Sequence, residues 1–135
     1  MSQANSVSAP KQLLLDIAWS FIGEHLSRAE FDAAVLEDQR EFASDTAWLP
    51  EQIAIDVPRI HLRFKCPRQG EYEDQIIEIA ADDGKCFTQG ELLFKIHNAV
   101  VEELRDVDHH FFEGLTLYRP PMDEIPPLYD LRQGS

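Results

Sequence analysis

The sequence predicts an α+β domain on three patterns: helical periodicity behind a capping signal near residues 88–105, period-two alternation between residues 53 and 81, and a further helix-start signal near residue 27. The expected architecture is two N-terminal helices, a small, mainly antiparallel sheet of three to four strands, and one long helix (about 88–105) packed on one face. A chain of 135 residues suits one domain, because single cores usually form at about 100–200 residues. With 44% hydrophobic and 27% charged residues, it has the composition of a folded chain.

Residues 1–10, "MSQANSVSAP", are small and polar and read as a flexible arm. They lack the basic stretch and apolar run of a secretory signal. The globular domain is expected over residues 11–119. From Lys11 to Leu26 the residues Leu14, Ile17, Ala18, Phe21 and Ile22 fall at helical spacing, with Pro10 where a first turn tolerates proline. Ser27 and Glu30 then form a Ser-x-x-Glu capping box, so a second helix is expected from about Arg28.

The period then changes. Ile53, Ile55 and Val57 alternate with polar neighbours, and Ile60, Leu62 and Phe64 do so in the opposite parity, with Pro58 at the slip. Proline cannot donate to a ladder, so a bend or bulge is expected there. A turn through Pro67, Gln69 and Gly70 leads to a second strand near Glu73–Ala81, closed by Asp82-Asp83-Gly84. Thr88 and Glu91 form another capping box before Leu92, Leu93, Ile96, Val100, Leu104 and Val107, one apolar stripe of a long helix. Phe111, Leu115 and Leu117 alternate as a third strand with Phe112, Thr116 and Tyr118 on its other face. Residues 120–135 carry four prolines between Pro120 and Pro127 and read as an extended tail, in which Leu128, Tyr129 and Leu131 can dock as an edge strand.

Charge limits the function. Twelve Lys and Arg against 25 Asp and Glu give a net charge of −13, which repels phosphate backbones and anionic lipid. Nucleic acid and membrane are therefore not expected as partners. No apolar run approaches the roughly 20 residues of a membrane span. Cys66 and Cys86 lack ligand-like spacing and read as reduced thiols in a cytoplasmic protein.

Catalytic motifs are missing: no Gly-x-Ser-x-Gly elbow, no phosphate-cradling glycine loop and no His-Glu-x-x-His occurs. The stretch "DVDHHFFEG", residues 106–114, concentrates acids, histidines and aromatics, but adjacent histidines on a strand point to opposite faces. It reads as the connection from helix to strand. His97 sits near the apolar stripe of the long helix and reads as a core histidine. No catalytic residue, metal site or cofactor is expected.

Two acidic concentrations remain. Residues 24–56 hold nine acids against Arg28 and Arg40, and residues 71–83 hold six acids with no base. Glu37, Asp38, Glu41 and Asp45 beside Trp48, together with Glu71, Glu73 and Asp74, are the expected partner-binding residues, since segregated acid favours a basic protein and an aromatic can anchor an interface. Arg59, Arg63 and Lys65 form the one basic stretch, either a weak anion site or the opposite-charge face of a hairpin with the acidic strand. The expectation is a non-enzymatic, acidic cytoplasmic binding protein acting on a basic protein, as an immunity or antitoxin-like inhibitor or a client-specific adaptor does. Two alternatives are a small metal-dependent or acid–base enzyme using His97, His109 and His110, and a homodimeric assembly subunit pairing through an exposed edge.

Overall fold

A computed structural model describes residues 9–15, 17–42, 48–107 and 110–134. Its elements run β1 (Gln12–Leu13), α1 (Arg28–Phe42), β2 (Ile53–Ile55), β3 (Arg59–Arg68), β4 (Glu71–Ala80), β5 (Phe87–Thr88), α2 (Gln89–Leu104), β6 (Phe111–Arg119) and β7 (Leu128–Gly134). The α+β class holds. The sheet is mainly antiparallel but mixed, and it has five strands rather than three or four, in the order β1-β6-β7-β3-β4, with β2 and β5 forming a separate pair. Strands β3 and β7 run parallel, and the other neighbours antiparallel.

The β3–β4 hairpin turns through Gln69 and Gly70, whose φ angles of 52° and 86° give the two left-handed positions of a type I′ turn. Its ladder runs without a slip from Arg68 opposite Glu71 to Arg59 opposite Ala80. One face of β3 buries Ile60, Leu62, Phe64 and Cys66 beneath α2, which contributes Leu92, Leu93, Ile96, Val100 and Leu104. On the opposite face Lys65 and Ile76 are exposed, and Arg63 is partly buried against the Tyr118 ring.

Both capping signals lie at real helix starts, with different chemistry. At α1 the box is reciprocal: the Ser27 N–H donates to Glu30 Oε1 (3.0 Å) and the Glu30 N–H to Ser27 Oγ (3.2 Å). At α2, Thr88 Oγ1 accepts from the Glu91 N–H, but the buried Glu91 carboxylate turns away from the cap to the Asp82 N–H (2.7 Å) and Lys95 Nζ (3.1 Å). Glu91 thereby ties the turn after β4 to the helix.

The helix expected over Lys11–Leu26 is not formed. That segment runs along the outer side of β6: Lys11 O accepts from the Leu117 N–H, Trp19 O from the Phe112 N–H, and the Phe21 N–H donates to His110 O. Ile17, Trp19 and Phe21 are buried on alternate positions, whereas Ile22, on the expected helical face, is exposed. Leu14 at φ 57° and Gly23 at φ 80° further break any helix. The backbone groups of β6 would be orphaned without this partner, and that tertiary demand outweighs a weak helical preference.

Two more expectations change. In β6 the register slips between Phe112 and Leu115, around Gly114 at φ 101°, so Phe112 and Leu115 both point into the core and Phe111 is partly exposed. The third strand therefore changes parity partway along. The tail is not an edge: β7 inserts between β6 and β3, with Leu128, Tyr129 and Leu131 buried and the Tyr129 hydroxyl donating to Pro10 O (2.7 Å). Proline tolerates this because Pro120, Pro121, Pro126 and Pro127 all precede the ladder, and Pro127 O accepts from the His61 N–H where β7 begins.

Three side-chain amides complete the backbone pairing where strands and helices do not reach. Gln39 accepts from the Ala18 N–H and donates to Ala18 O and Val35 O. Asn98 holds both the N–H and the C=O of Leu26, and Gln133 does the same for Lys65 where β7 parts from β3. Each acts as a substitute peptide group. Among the described residues, no helix is long and apolar enough to cross a membrane.

Candidate functional site

His97 is fully buried on α2, ringed by Trp19, Phe21 and Phe31. Its Nε2 faces Glu24 O at 3.0 Å, an acceptor, so Nε2 carries the proton and Nδ1 accepts from Trp19 Nε1 at 3.2 Å. Burial holds its pKa below 6.5. Both ring nitrogens are occupied and no solvent reaches them, an arrangement that suits packing and leaves no free position for a substrate proton. His110 pairs its Nδ1 with Val107 O, while Asp108 and His109 lie outside the described residues. Among the described residues, no three His, Cys, Asp or Glu side chains gather as metal ligands.

The basic stretch is matched by internal acids. Lys65 stands opposite Asp74 and bonds it at 2.9 Å, which holds the Asp74 carboxyl below the usual range. Arg59 reaches Glu78 at 3.4 Å, and His61, opposite the same glutamate, reaches it at 3.2 Å. Arg63 makes a bidentate pair with Asp130 (2.6 and 2.9 Å) and lies 3.9 Å over the Tyr118 ring, both of which favour its charged form. A groove of about 550 Å³ opens beside these residues at the fork of β3 and β7. Its rim carries Arg63, Lys65 and Arg132 but also Asp74 and Asp130, so it presents no single charge.

The acids divide by element. On α1, Glu37 and Glu41 are exposed, and Asp38 between them has its carboxyl pushed up, first by partial burial and then by those two like charges. Asp45 lies outside the described residues. Trp48 is only 5% exposed and packs edge-on to Phe31 at 6.5 Å, so its indole belongs to the core and not to the surface beside these acids.

On β4, Glu71 and Glu73 are exposed. Register sets Arg68 opposite Glu71, but its guanidinium turns to Glu103 of α2 at 2.9 Å. Glu71 and Glu73 are left with no ion pair among the described residues. Strand β4 is also an outer strand of the sheet, and among the described residues β3 is the one strand paired with it. Tyr72 and Ile76 on its uncovered face are 49% and 57% exposed.

Sequence reasoning found these acids and expected an exposed edge, but it did not place that edge at β4 or find the apolar spots between the acids. One signal was present: Ile76 and Ile77 are adjacent, so in a strand one of them must face away from the core. Compared with protein-family models, with curated proteins and with solved structures, the chain matches none.

Proposed function

We propose that this chain is a binding protein that recognises a basic protein through its acidic surface, and that it acts by occupying that partner. The supporting observation is how the charges are distributed. Arg59, Arg63, Lys65 and Arg68 are each matched by an acid of the same chain, while Glu37, Glu41, Glu71 and Glu73 stand exposed. These four cations are thus spent internally, and with 25 acids against 12 bases the outward field stays negative, which speeds encounter with a positive surface and disfavours anionic partners. An inhibitor of the immunity or antitoxin kind and an adaptor for one basic client are two forms of the same chemistry.

The test is co-purification of the full chain from a lysate of its own source, washed at low and then high salt. A single basic protein that co-elutes and is released by salt is the expected result, because exposed charge pairs are screened over a Debye length of about 8 Å at physiological ionic strength. Recovery of the chain alone as a monomer, or of a partner indifferent to salt, overturns the reading.

A further inference from the structure

We infer that the open edge of β4 takes up an extended basic segment of the partner as an added strand. This rests on the reading above and specifies how the acidic surface binds.

The edge itself is the first observation. Sheet edges are normally blunted by shortness, proline, bulges or charged side chains, lysine above all. The opposite edge is blunted in this way, since β1 has two residues. Strand β4 has ten residues, no proline and an unbroken register with β3, so its outward N–H and C=O groups form a regular template. The template stops at Ala80, whose carbonyl accepts from Lys95 Nζ. That ammonium closes the edge and repels a cation at the same point.

Charge selects the occupant. The strand carries Glu71, Glu73, Asp74 and Glu78 and no base. Glu71 and Glu73 lie on the helix side beyond the end of the buried stretch, and Asp74 and Glu78 on the uncovered side. A second copy is disfavoured, because it brings four acids and no base to a strand that already carries four acids and no base. A strand bearing Lys or Arg on the face that meets Glu71 and Glu73 gains instead of losing, since Asp74 and Glu78 on the other face are already paired to Lys65 and Arg59. On the uncovered face Ile76 and Tyr72 stand exposed on either side of Asp74, so the fitting segment alternates basic residues with a β-branched or aromatic one.

The experiment follows backbone amide exchange of the full chain by NMR at low salt, with a synthetic peptide of alternating Lys and Val, about eight residues long. Its control is the same peptide N-methylated at alternate residues, equal in charge but unable to bond along one edge. The expected result is at least about tenfold slower exchange in β4 with the first peptide and at least about tenfold weaker binding by the second. Glu71→Lys with Glu73→Lys should weaken the first peptide by about tenfold while leaving the spectrum of the core unchanged. Equal binding by both peptides, or protection on α1 instead of β4, overturns strand addition and leaves the acidic-surface reading standing. No protection by either peptide also overturns it, and co-purification then judges the broader reading separately. Protection of β4 that rises with protein concentration without peptide overturns it in favour of a second copy.

Discussion

The two edges of the five-stranded sheet are finished in opposite ways. Along β6 the chain closes the edge with an irregular segment, residues 11–26, whose Ile17, Trp19 and Phe21 are buried and whose backbone is gripped by Gln39 and Asn98. Along β4 a regular ten-residue strand faces outward with its acids. The closed edge carries stability and the open one is free to carry recognition, so substitutions should cost folding at the first and affinity at the second. The largest effect should come from Phe31, which is fully buried where α1 meets the closed edge, 5.0 Å from Trp19 and 5.6 Å from Phe94. Phe31→Ala should cost about 3–5 kcal/mol in urea unfolding, the range for a large aromatic removed from a packed core. A loss below about 1 kcal/mol, the size of an ordinary point change, would mean that α1 does not seal this edge.

Gln39 offers a sharper test, because its contribution is polar and local. Gln39→Leu keeps the volume but strands the N–H and C=O of Ala18, and should cost about 1–3 kcal/mol for unsatisfied buried groups. Amide exchange should quicken over residues 17–21 and stay unchanged in the β3–β4 hairpin. Faster exchange in both regions would show that the closed edge is not a separate local unit.

Much of this division was hidden in the sequence, for a physical reason. Helix α2 was legible because its signals are local: the Thr88 cap and a stripe at helical spacing. The start of α1 and the alternation of β3 were legible in the same way. Residues 11–26 were not, since Ile17, Trp19 and Phe21 satisfy period two while Leu14, Ile17, Phe21 and Ile22 satisfy the helical period. Only the unmet hydrogen bonds of β6, about a hundred residues further on, decide between them. The place of β7 is likewise a property of topology, and so is the exposure of β4, which depends on β7 taking the other side of β3. At the candidate site, the segregation of acid from base could be read directly. The pairing could not: Arg68 leaves its cross-strand Glu71 for Glu103, and Trp48 turns inward to Phe31.

The closed edge also carries a pH dependence of its own, through a buried histidine. His97 is buried neutral, held below 6.5 first by burial and then by the nearby His25, with the Glu24 carbonyl opposing. Lowered proton affinity on folding means that the unfolded chain binds the proton first. The stability contributed by neutral His97 is therefore complete above pH 6.5 and is lost as pH falls from 6.5 through its lower folded value. Melting temperature should drop over that window, and His97→Leu should flatten the slope while lowering stability at neutral pH, since Trp19 Nε1 loses its acceptor. Parallel profiles for the two proteins would remove His97 as the cause.

The smallest folding effect belongs to the open edge. Ile76 is 57% exposed on a face that no helix covers among the described residues, so Ile76→Thr keeps a β-branched side chain and removes little buried surface. Its effect on unfolding should stay within about 0.5 kcal/mol, as for other surface sites. Affinity for a basic strand should fall in the same variant, because a cross-strand apolar neighbour is worth roughly 0.2–1 kcal/mol. That dissociation of folding from binding is what separates a surface kept for a partner from one that is part of the core. A folding cost above about 1 kcal/mol, the scale of a buried methyl group, would show that this face packs against something in the folded chain, and the contrast between the two edges would collapse.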